Sequence, residues 1–374
     1  MKVLFLSVPA GGGHHQTAKA MADFFAGRDN VETKILDVAE NVNSVLKELI
    51  SKGYILSTTL MPKAYSAIYD ILDAKTAEDD ELTRYNKLIA DAFRRKLKKF
   101  IDEFRPDVIV STHVWATIVL NRIARRTPLG APIISIITDF TVHPFWEQTK
   151  SDFYIIPSEF LSYQAIKKLG DDEVILPMGI PIGPKFSQKI DKVSARRQQG
   201  LDDKFTVLVM MGSMGYGKAA QDIIKQLDKL PDDFQILAVC GRNKKLKNSI
   251  LKMKLHKKIE VFGFVDNIDE LMDASDCIIT KPGGLSTSEA LSKNLPLILA
   301  NPIPGQEDRN LEFMLNHGVA VSLSDTFPAD EAIYLLMNYP HIMTQLSDNA
   351  KILAKPDAAK NLGELIMDIY ENNN

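Results

Sequence analysis

The sequence predicts an α/β protein built from two doubly wound parallel-sheet domains. Its 374 residues exceed the usual ~100–200 residues of one domain. Short β-rich apolar runs alternate with amphipathic stretches in both halves, the pattern of parallel sheets covered by helices on both faces. Between the two halves the stretch Leu176 to Phe186 packs prolines and glycines together and reads as a hinge. Hydrophobic residues make up 45% and charged residues 25%, which excludes a largely disordered chain and a disulfide-dense miniature scaffold.

In the first half the strand candidates are Val3 to Val8, Asp107 to Thr112, Ile133 to Thr138 and Phe153 to Pro157, each an apolar run. Between and after them come the helical stretches His14 to Gly27, Trp115 to Arg126 and Glu159 to Gly170. A charged stretch, Gln188 to Lys204, follows the hinge, and alternation restarts. Strands are expected at Phe205 to Met211, Phe234 to Cys240, Ile259 to Phe262, Cys277 to Thr280, Leu297 to Ala300 and Val319 to Leu323. Helices are expected at Lys218 to Leu230, Asn267 to Ala274, Ser286 to Lys293 and Glu307 to His317. Domain boundaries are set at 1–185 and 186–355, with residues 356–374 as a C-terminal helix that returns to the first domain.

Between Glu40 and Phe104 the strand pattern lapses into a long helical insertion. It holds Tyr54, Ile55, Leu60, Met61 and Tyr65 among lysines, then the run FRRKLKKF from Phe93 to Phe100, with Arg94, Arg95 and Lys98. A basic helix beside aromatic and apolar residues suits an anionic membrane surface; a solvated helix face is the plainer alternative. The N-terminal apolar run is too short for a signal peptide and ends in Pro9 and three glycines. No run of about 18 apolar residues occurs, so membrane contact is expected to be peripheral. A net charge of −3 gives no case for nucleic acid as a partner. Cys240 and Cys277 lie in apolar runs without metal-site spacing and read as reduced core thiols.

Four loops carry the chemistry. Pro9 to His14 (PAGGGH) joins the first strand to the first helix, where Gly12 and Gly13 let a ligand approach backbone N–H groups. It matches neither G-x-G-x-x-G, since Gln16 stands at the last glycine position, nor a P-loop, which disfavours a nicotinamide dehydrogenase and a P-loop ATPase. The turn Met211 to Gly217, with Ser213, Met214 and Gly215, holds the same topological place in the second domain. KPGGLSTSEA, residues 281–290, follows a strand and opens a helix, so Gly283, Gly284, Ser286 and Thr287 can face a phosphate. Ser286 and Glu289 also fit an S-x-x-E capping box, in which Glu289 would only satisfy the helix start. Residues 302–310, PIPGQEDRN, offer Gln306, Glu307 and Asn310 as partners for sugar hydroxyls.

KPGGLSTSEA followed by NPIPGQEDRN resembles the donor-binding half of the glycosyltransferase group that contains the peptidoglycan N-acetylglucosaminyltransferase and the plant galactolipid synthases. GGGH, TDFTVHPFW (Thr138 to Trp146) and GIPI (Gly179 to Ile182) are similar to the diacylglycerol glycosyltransferase branch, and within it to the processive diacylglycerol β-glucosyltransferases of Gram-positive bacteria. The resemblance spans nearly the whole chain. It implies a GT-B fold, with two Rossmann-like domains facing across a cleft. It also implies an N-terminal domain for acceptor and membrane docking, a C-terminal domain for a UDP-sugar, and inverting transfer to the 3-hydroxyl of diacylglycerol. Phe264 is then expected at the uracil, Glu289 at the ribose, Gly283, Gly284 and the Ser286 to Thr287 helix start at the diphosphate with Ser213 to Gly215, and Gln306 and Glu307 at the sugar with Asn310 nearby.

An inverting transfer needs one base for the acceptor hydroxyl and stabilisation of the departing UDP. His14 ranks first as base and Asp139 second, Asp139 orienting or charge-stabilising the ring. His143 and His15 are weaker candidates; His143 and Trp146 are grouped with the acceptor surface. No Asp-x-Asp pair occurs, so no metal is expected at the nucleotide and no cofactor beyond the UDP-sugar substrate. The expected partners are UDP-glucose, diacylglycerol and anionic lipid, at the cytoplasmic face of the cell membrane. UDP-galactose or UDP-N-acetylglucosamine as donor, a UDP-N-acetylglucosamine 2-epimerase and a non-catalytic UDP-sugar sensor remain alternatives, and oligomeric state is open.

Overall fold

A computed structural model describes residues 1–8, 12–38, 94–211 and 217–372. The chain divides into two compact units. One comprises Met1–Pro184 with Ile303–Gln306 and Asp357–Asn374; the other comprises Lys185–Pro302 with Glu307–Pro356.

The first unit holds a six-stranded sheet of β1 (Lys2–Ser7), β2 (Glu32–Asp37), β3 (Val108–Ser111), β4 (Ile133–Ile136), β5 (Phe153–Ile155) and β6 (Ile175–Leu176), ordered β2-β1-β3-β4-β5-β6. Every pairing is parallel, with Leu4 opposite Lys34 on one side and Ile109 on the other. The central strands are apolar on both faces because helices cover both. Edge strand β2, ETKILD, carries three charged residues and has no fully buried position. The final helix, Ala358–Asn372, packs Leu362 and Ile366 onto the core of Phe5, Met21, Phe25 and Ile134. A Cβ at Gly363 would lie 2.1 Å from the Phe24 ring, so only glycine lets that helix seat against the first one.

The second unit repeats the plan with β7 (Thr206–Met210), β8 (Gln235–Val239), β9 (Lys258–Phe262), β10 (Cys277–Thr280), β11 (Leu297–Leu299) and β12 (Ala320–Ser322), ordered β12-β11-β10-β7-β8-β9. Cys240 and Cys277 are buried free thiols, and burial pushes Cys277 well above its ordinary range. The charged stretch after the hinge is fastened to this unit. Lys293 and Asp273 form an almost fully buried pair at 2.6 Å, Asp273 accepts from the Ile190 N–H, and Lys293 donates to the Gln188 carbonyl. Arg196, buried, donates to Asp276 and to the Ala274 carbonyl.

In each sheet the chain winds outward from one central strand and then crosses to that strand's other side. The switch points lie between β1 and β3, and between β7 and β10. Ligands of open α/β sheets bind beyond the carboxyl ends of the strands at such points.

Candidate functional site

At the first switch point the helix Gly13–Phe25 begins directly after the glycine turn. Its N-cap, Gly12, has φ of 84°, a left-handed conformation that favours glycine. That turn puts His14 in the first helical turn, where its Nδ1 lies 2.8 Å from the Thr112 carbonyl beyond β3. A carbonyl only accepts, so Nδ1 carries the proton and Nε2 keeps its lone pair. Thr138 Oγ1 stands 3.0 Å from the same Nδ1. Thr112 Oγ1 also lies within hydrogen-bond reach of the His14 and Leu6 carbonyls, which ties the helix start to the strand ends.

The imidazole of His14 meets that of His113 edge-on, centroids 4.5 Å apart. His113 caps the helix Val114–Ala124 by accepting from the Trp115 N–H at Nδ1. Burial holds His14 below its ordinary range, with the Asp139 charge and the Thr112 carbonyl pulling the other way. His113 is driven further down, by burial and then by His14 and His143. Both rings are therefore neutral at pH 7. Asp139 makes no hydrogen bond to His14; its Oδ2 accepts from Gln306 Nε2 at 2.7 Å. Of the two roles expected of Asp139, orienting or charge-stabilising the ring, the geometry gives the hydrogen bond at Nδ1 to the Thr112 carbonyl and leaves Asp139 a charge effect on His14.

Two expectations for this unit are corrected. Trp146 is not an acceptor-surface side chain: it is 5% exposed and packs edge-on against Tyr154 in the core. His143 is buried too, and its Nδ1 accepts from the Phe145 N–H to cap the 3-10 turn Pro144–Gln148. Both fasten the loop after β4, the indole by burying its large ring and His143 by capping the turn. His15 is exposed. Residues 94–104 are helical, with Leu97, Ile101 and Phe104 buried and Arg95 exposed, while Arg94 is half-buried. Lys98 pairs with Asp102 at 2.5 Å and Lys99 with Glu103 at 3.7 Å, one turn on. Tyr54, Ile55, Leu60, Met61 and Tyr65 lie outside the described residues, as do Ser213, Met214 and Gly215.

At the second switch point β10 runs into Lys281–Gly283 and the helix Gly284–Ser292. Gly283 is the N-cap and no side chain caps this helix. Ser286 therefore sits inside the first turn, and the capping box read from the sequence does not form. Glu289 is released from that duty. Burial pushes its carboxyl up to about 8, Lys185 opposing and Asp269 adding to the rise, so at neutral pH it is largely a carboxylic acid that both donates and accepts. The uncapped N–H groups of Gly284 and its neighbours have the chemistry to meet an anion.

The turn is stapled to the helix Glu307–Asn316. Lys281 Nζ, only 7% exposed as a residue, meets Glu307 Oε1 at 2.9 Å, and Asn310 Nδ2 donates to the Pro282 carbonyl at 2.9 Å. The side chains of Asn310 and Thr287, both expected at the donor, are wholly buried and not presented at the surface of this turn. Asn310 holds the turn instead, and Thr287 faces the core because the helix begins two residues before Ser286. Gln306, expected with Glu307 in the donor half, belongs by packing to the first unit, after a turn in which Gly305 has φ of 90°. Phe264 is 54% exposed and carries the Arg242 guanidinium 5.3 Å from its ring centre. Sequence reading passed over Thr112, His113, Thr138 and Lys281. The one available signal was that three of them flank the carboxyl ends of β3 and β4.

Residues 14–182 match the family model for monogalactosyldiacylglycerol (MGDG) synthase, and residues 191–351 match the model for glycosyl transferases group 1. A processive diacylglycerol β-glucosyltransferase of Bacillus cereus (strain AH187) is 28% identical over 373 residues, covering 98% of this chain and 93% of that protein. The protein of the same name from Bacillus thuringiensis (strain Al Hakam) is 27% identical over 374 residues, with the same coverage. Among solved structures, Acinetobacter baumannii MurG superposes with a TM-score of 0.62 at 14% identity, over 98% of this chain and 99% of its own. The Anabaena Alr3699/HepE complex with UDP-glucose superposes with a TM-score of 0.56 at 15% identity, over 98% and 100%. These likenesses establish the GT-B fold.

Proposed function

We propose that this chain, a GT-B glycosyltransferase similar over nearly its whole length to the processive diacylglycerol β-glucosyltransferases, moves glucose from UDP-glucose to the 3-hydroxyl of 1,2-diacylglycerol with inversion. The observation that carries the mechanism is the fixed, neutral His14, whose Nδ1–H is held by the Thr112 carbonyl and whose Nε2 is left to take a proton. As the lipid oxygen attacks the anomeric carbon, Nε2 accepts its proton and the new imidazolium is stabilised by the Asp139 charge. The bond to the UDP oxygen breaks on the opposite face, and the departing diphosphate is met by the N–H groups at the start of Gly284–Ser292. Phe264 takes the uracil, Glu289 the ribose diol, and Glu307 and Gln306 the sugar hydroxyls.

With helix N–H groups in this role and no Asp-x-Asp pair in the sequence, transfer proceeds without a divalent ion, and EDTA leaves the rate intact. The acceptor is a bilayer lipid, and no helix among the described residues is long and apolar enough to cross a membrane. The enzyme therefore works from the membrane surface, on the cytoplasmic side where nucleotide-sugars are found. The deciding test is to incubate the protein with diacylglycerol in mixed micelles and each UDP-sugar separately, and to identify the lipid products by mass. Glucosyl-diacylglycerol formed from UDP-glucose alone supports the reading. Product only from UDP-galactose or UDP-N-acetylglucosamine would replace the donor, and silence with all donors would overturn the activity.

A further inference from the structure

From Phe234 to Ile259 the chain contains no acidic residue, yet eight of its 45 lysines and arginines fall between Arg242 and Lys258, in a protein of net charge −3. The helix Lys244–Leu251 buries Leu246 and Ile250 and turns Lys244, Lys245, Asn248 and Leu251 outward. Lys252 and Lys254 continue the exposed surface. The end of the run is engaged: His256 meets Asp228, Lys257 donates to the Asp232 carbonyl, and Lys258 pairs with Asp202. Lys244, Lys245, Lys247, Lys252 and Lys254 form no ion pair with any described residue. Leu251 is 59% exposed in their midst, with Met253 and Leu255 half-buried beside it.

We propose that this face of the second unit docks on an anionic bilayer. Five like charges within eleven residues repel one another unless an anionic partner neutralises them, and here no carboxylate does so. A solvent-facing leucine inside the cluster suits a surface whose headgroups are negative and whose interior is apolar, while long lysine side chains reach headgroups from a shallowly seated helix. The choice of a bilayer over other polyanions rests on the proposed lipid acceptor. The docking itself does not depend on catalysis.

The test is vesicle flotation of the full chain with phosphatidylcholine, alone or mixed with phosphatidylglycerol. The wild type should float with the anionic vesicles and be released by salt, and Lys244→Glu/Lys245→Glu/Lys252→Glu/Lys254→Glu should weaken binding by about tenfold or more. The same four positions changed to Gln should fall between the two, and they serve if the reversed variant does not fold. Transfer to diacylglycerol in uncharged micelles should be unchanged in both variants. Equal flotation of wild type and variants, or equal binding to neutral vesicles, would overturn the proposal, as would selective retention by an oligonucleotide with none by vesicles. Anionic binding by a wild type that transfers no sugar would sink the activity and leave this surface standing.

Discussion

The two switch points share a topology and differ in chemistry. At the β1–β3 end the His14 ring is neutral: burial holds it down against the Asp139 charge and the Thr112 carbonyl, and its near neighbours, the Thr138 hydroxyl and the His113 ring, are uncharged. At the β7–β10 end the same architecture carries an ion pair, Lys281 with Glu307, and a carboxyl displaced upward, Glu289. The contrast matches the roles proposed for each. A group that receives a proton near neutrality works only if it begins unprotonated, and burial disfavours imidazolium. A group that receives a nucleotide-sugar must offer N–H dipoles to phosphate and oriented carboxyl oxygens to hydroxyls, and those oxygens stay in place only if something holds them.

The contrast breaks most visibly at His14. Replacing it with Ala should lower kcat by about 10²–10⁴-fold, the usual contribution of a general base, with the KM for UDP-glucose little changed. Initial rates at saturating acceptor would show this, and an unaltered thermal midpoint would confirm that the fold survives. In the wild type kcat/KM should rise with pH through a midpoint below 6.5, because His14 sits below its ordinary value and must be unprotonated to act. A midpoint clearly above 6.5 would mean that another group limits the rate.

Next in size is the ion pair. With Lys281 changed to Met, Glu307 loses its buried counter-charge, which destabilises the protein by about 3 kcal/mol and raises the donor KM more than it lowers kcat. Adding Glu307→Gln should restore most of the stability, since no uncompensated charge then remains, but not the donor affinity. A double variant as unstable as Lys281→Met alone would show that the lysine acts independently of Glu307.

Glu289 gives a smaller, pH-dependent effect. Its folded value, about 8, lies above the unfolded reference of 4.5, so the native state holds a proton that the unfolded chain releases between those values. Stability should therefore fall as pH rises from about 4.5 to 8. Glu289→Gln should flatten that slope and leave the empty protein more stable than wild type at pH 8, by on the order of 2 kcal/mol after allowance for its partial exposure. Denaturant unfolding at several pH values measures it, and parallel slopes for the two proteins would contradict the displaced carboxyl.

Most of both sheets was legible because buried parallel strands are written as unbroken apolar runs: VLFL, VIV, TVLVM and QILAV each announce themselves. What escaped was written otherwise. β2 is an edge strand whose three charges read as a solvated segment, and β6 has only two residues. The helix Lys244–Leu251 shows little but lysines around its buried Leu246 and Ile250. The glycine turns pointed to His14, Glu289 and Glu307, but not to what positions them. Thr112 lies 98 residues from His14, and Lys281 lies 26 from Glu307, so only strand order brings those partners together. The S-x-x-E pattern misled because hydrogen bonding starts the helix at Gly284, where glycine allows it, and not after Ser286.

The smallest expected effect separates two basic stretches that look alike in sequence. FRRKLKKF and KKLKNSIL are both basic, with five and three lysines and arginines, but Lys98 and Lys99 each have an acid one turn on, whereas Lys244 and Lys245 have none. Neutralising Lys98 to Gln removes an exposed i,i+4 pair and should change stability by about 0.5 kcal/mol or less. It should also alter flotation on anionic vesicles less than Lys244→Gln does, because Asp102 already screens the charge it removes. If Lys98→Gln weakens vesicle binding more than Lys244→Gln, local pairing does not set which lysines meet the membrane, and the helix of residues 94–104 becomes the stronger contact despite its acids.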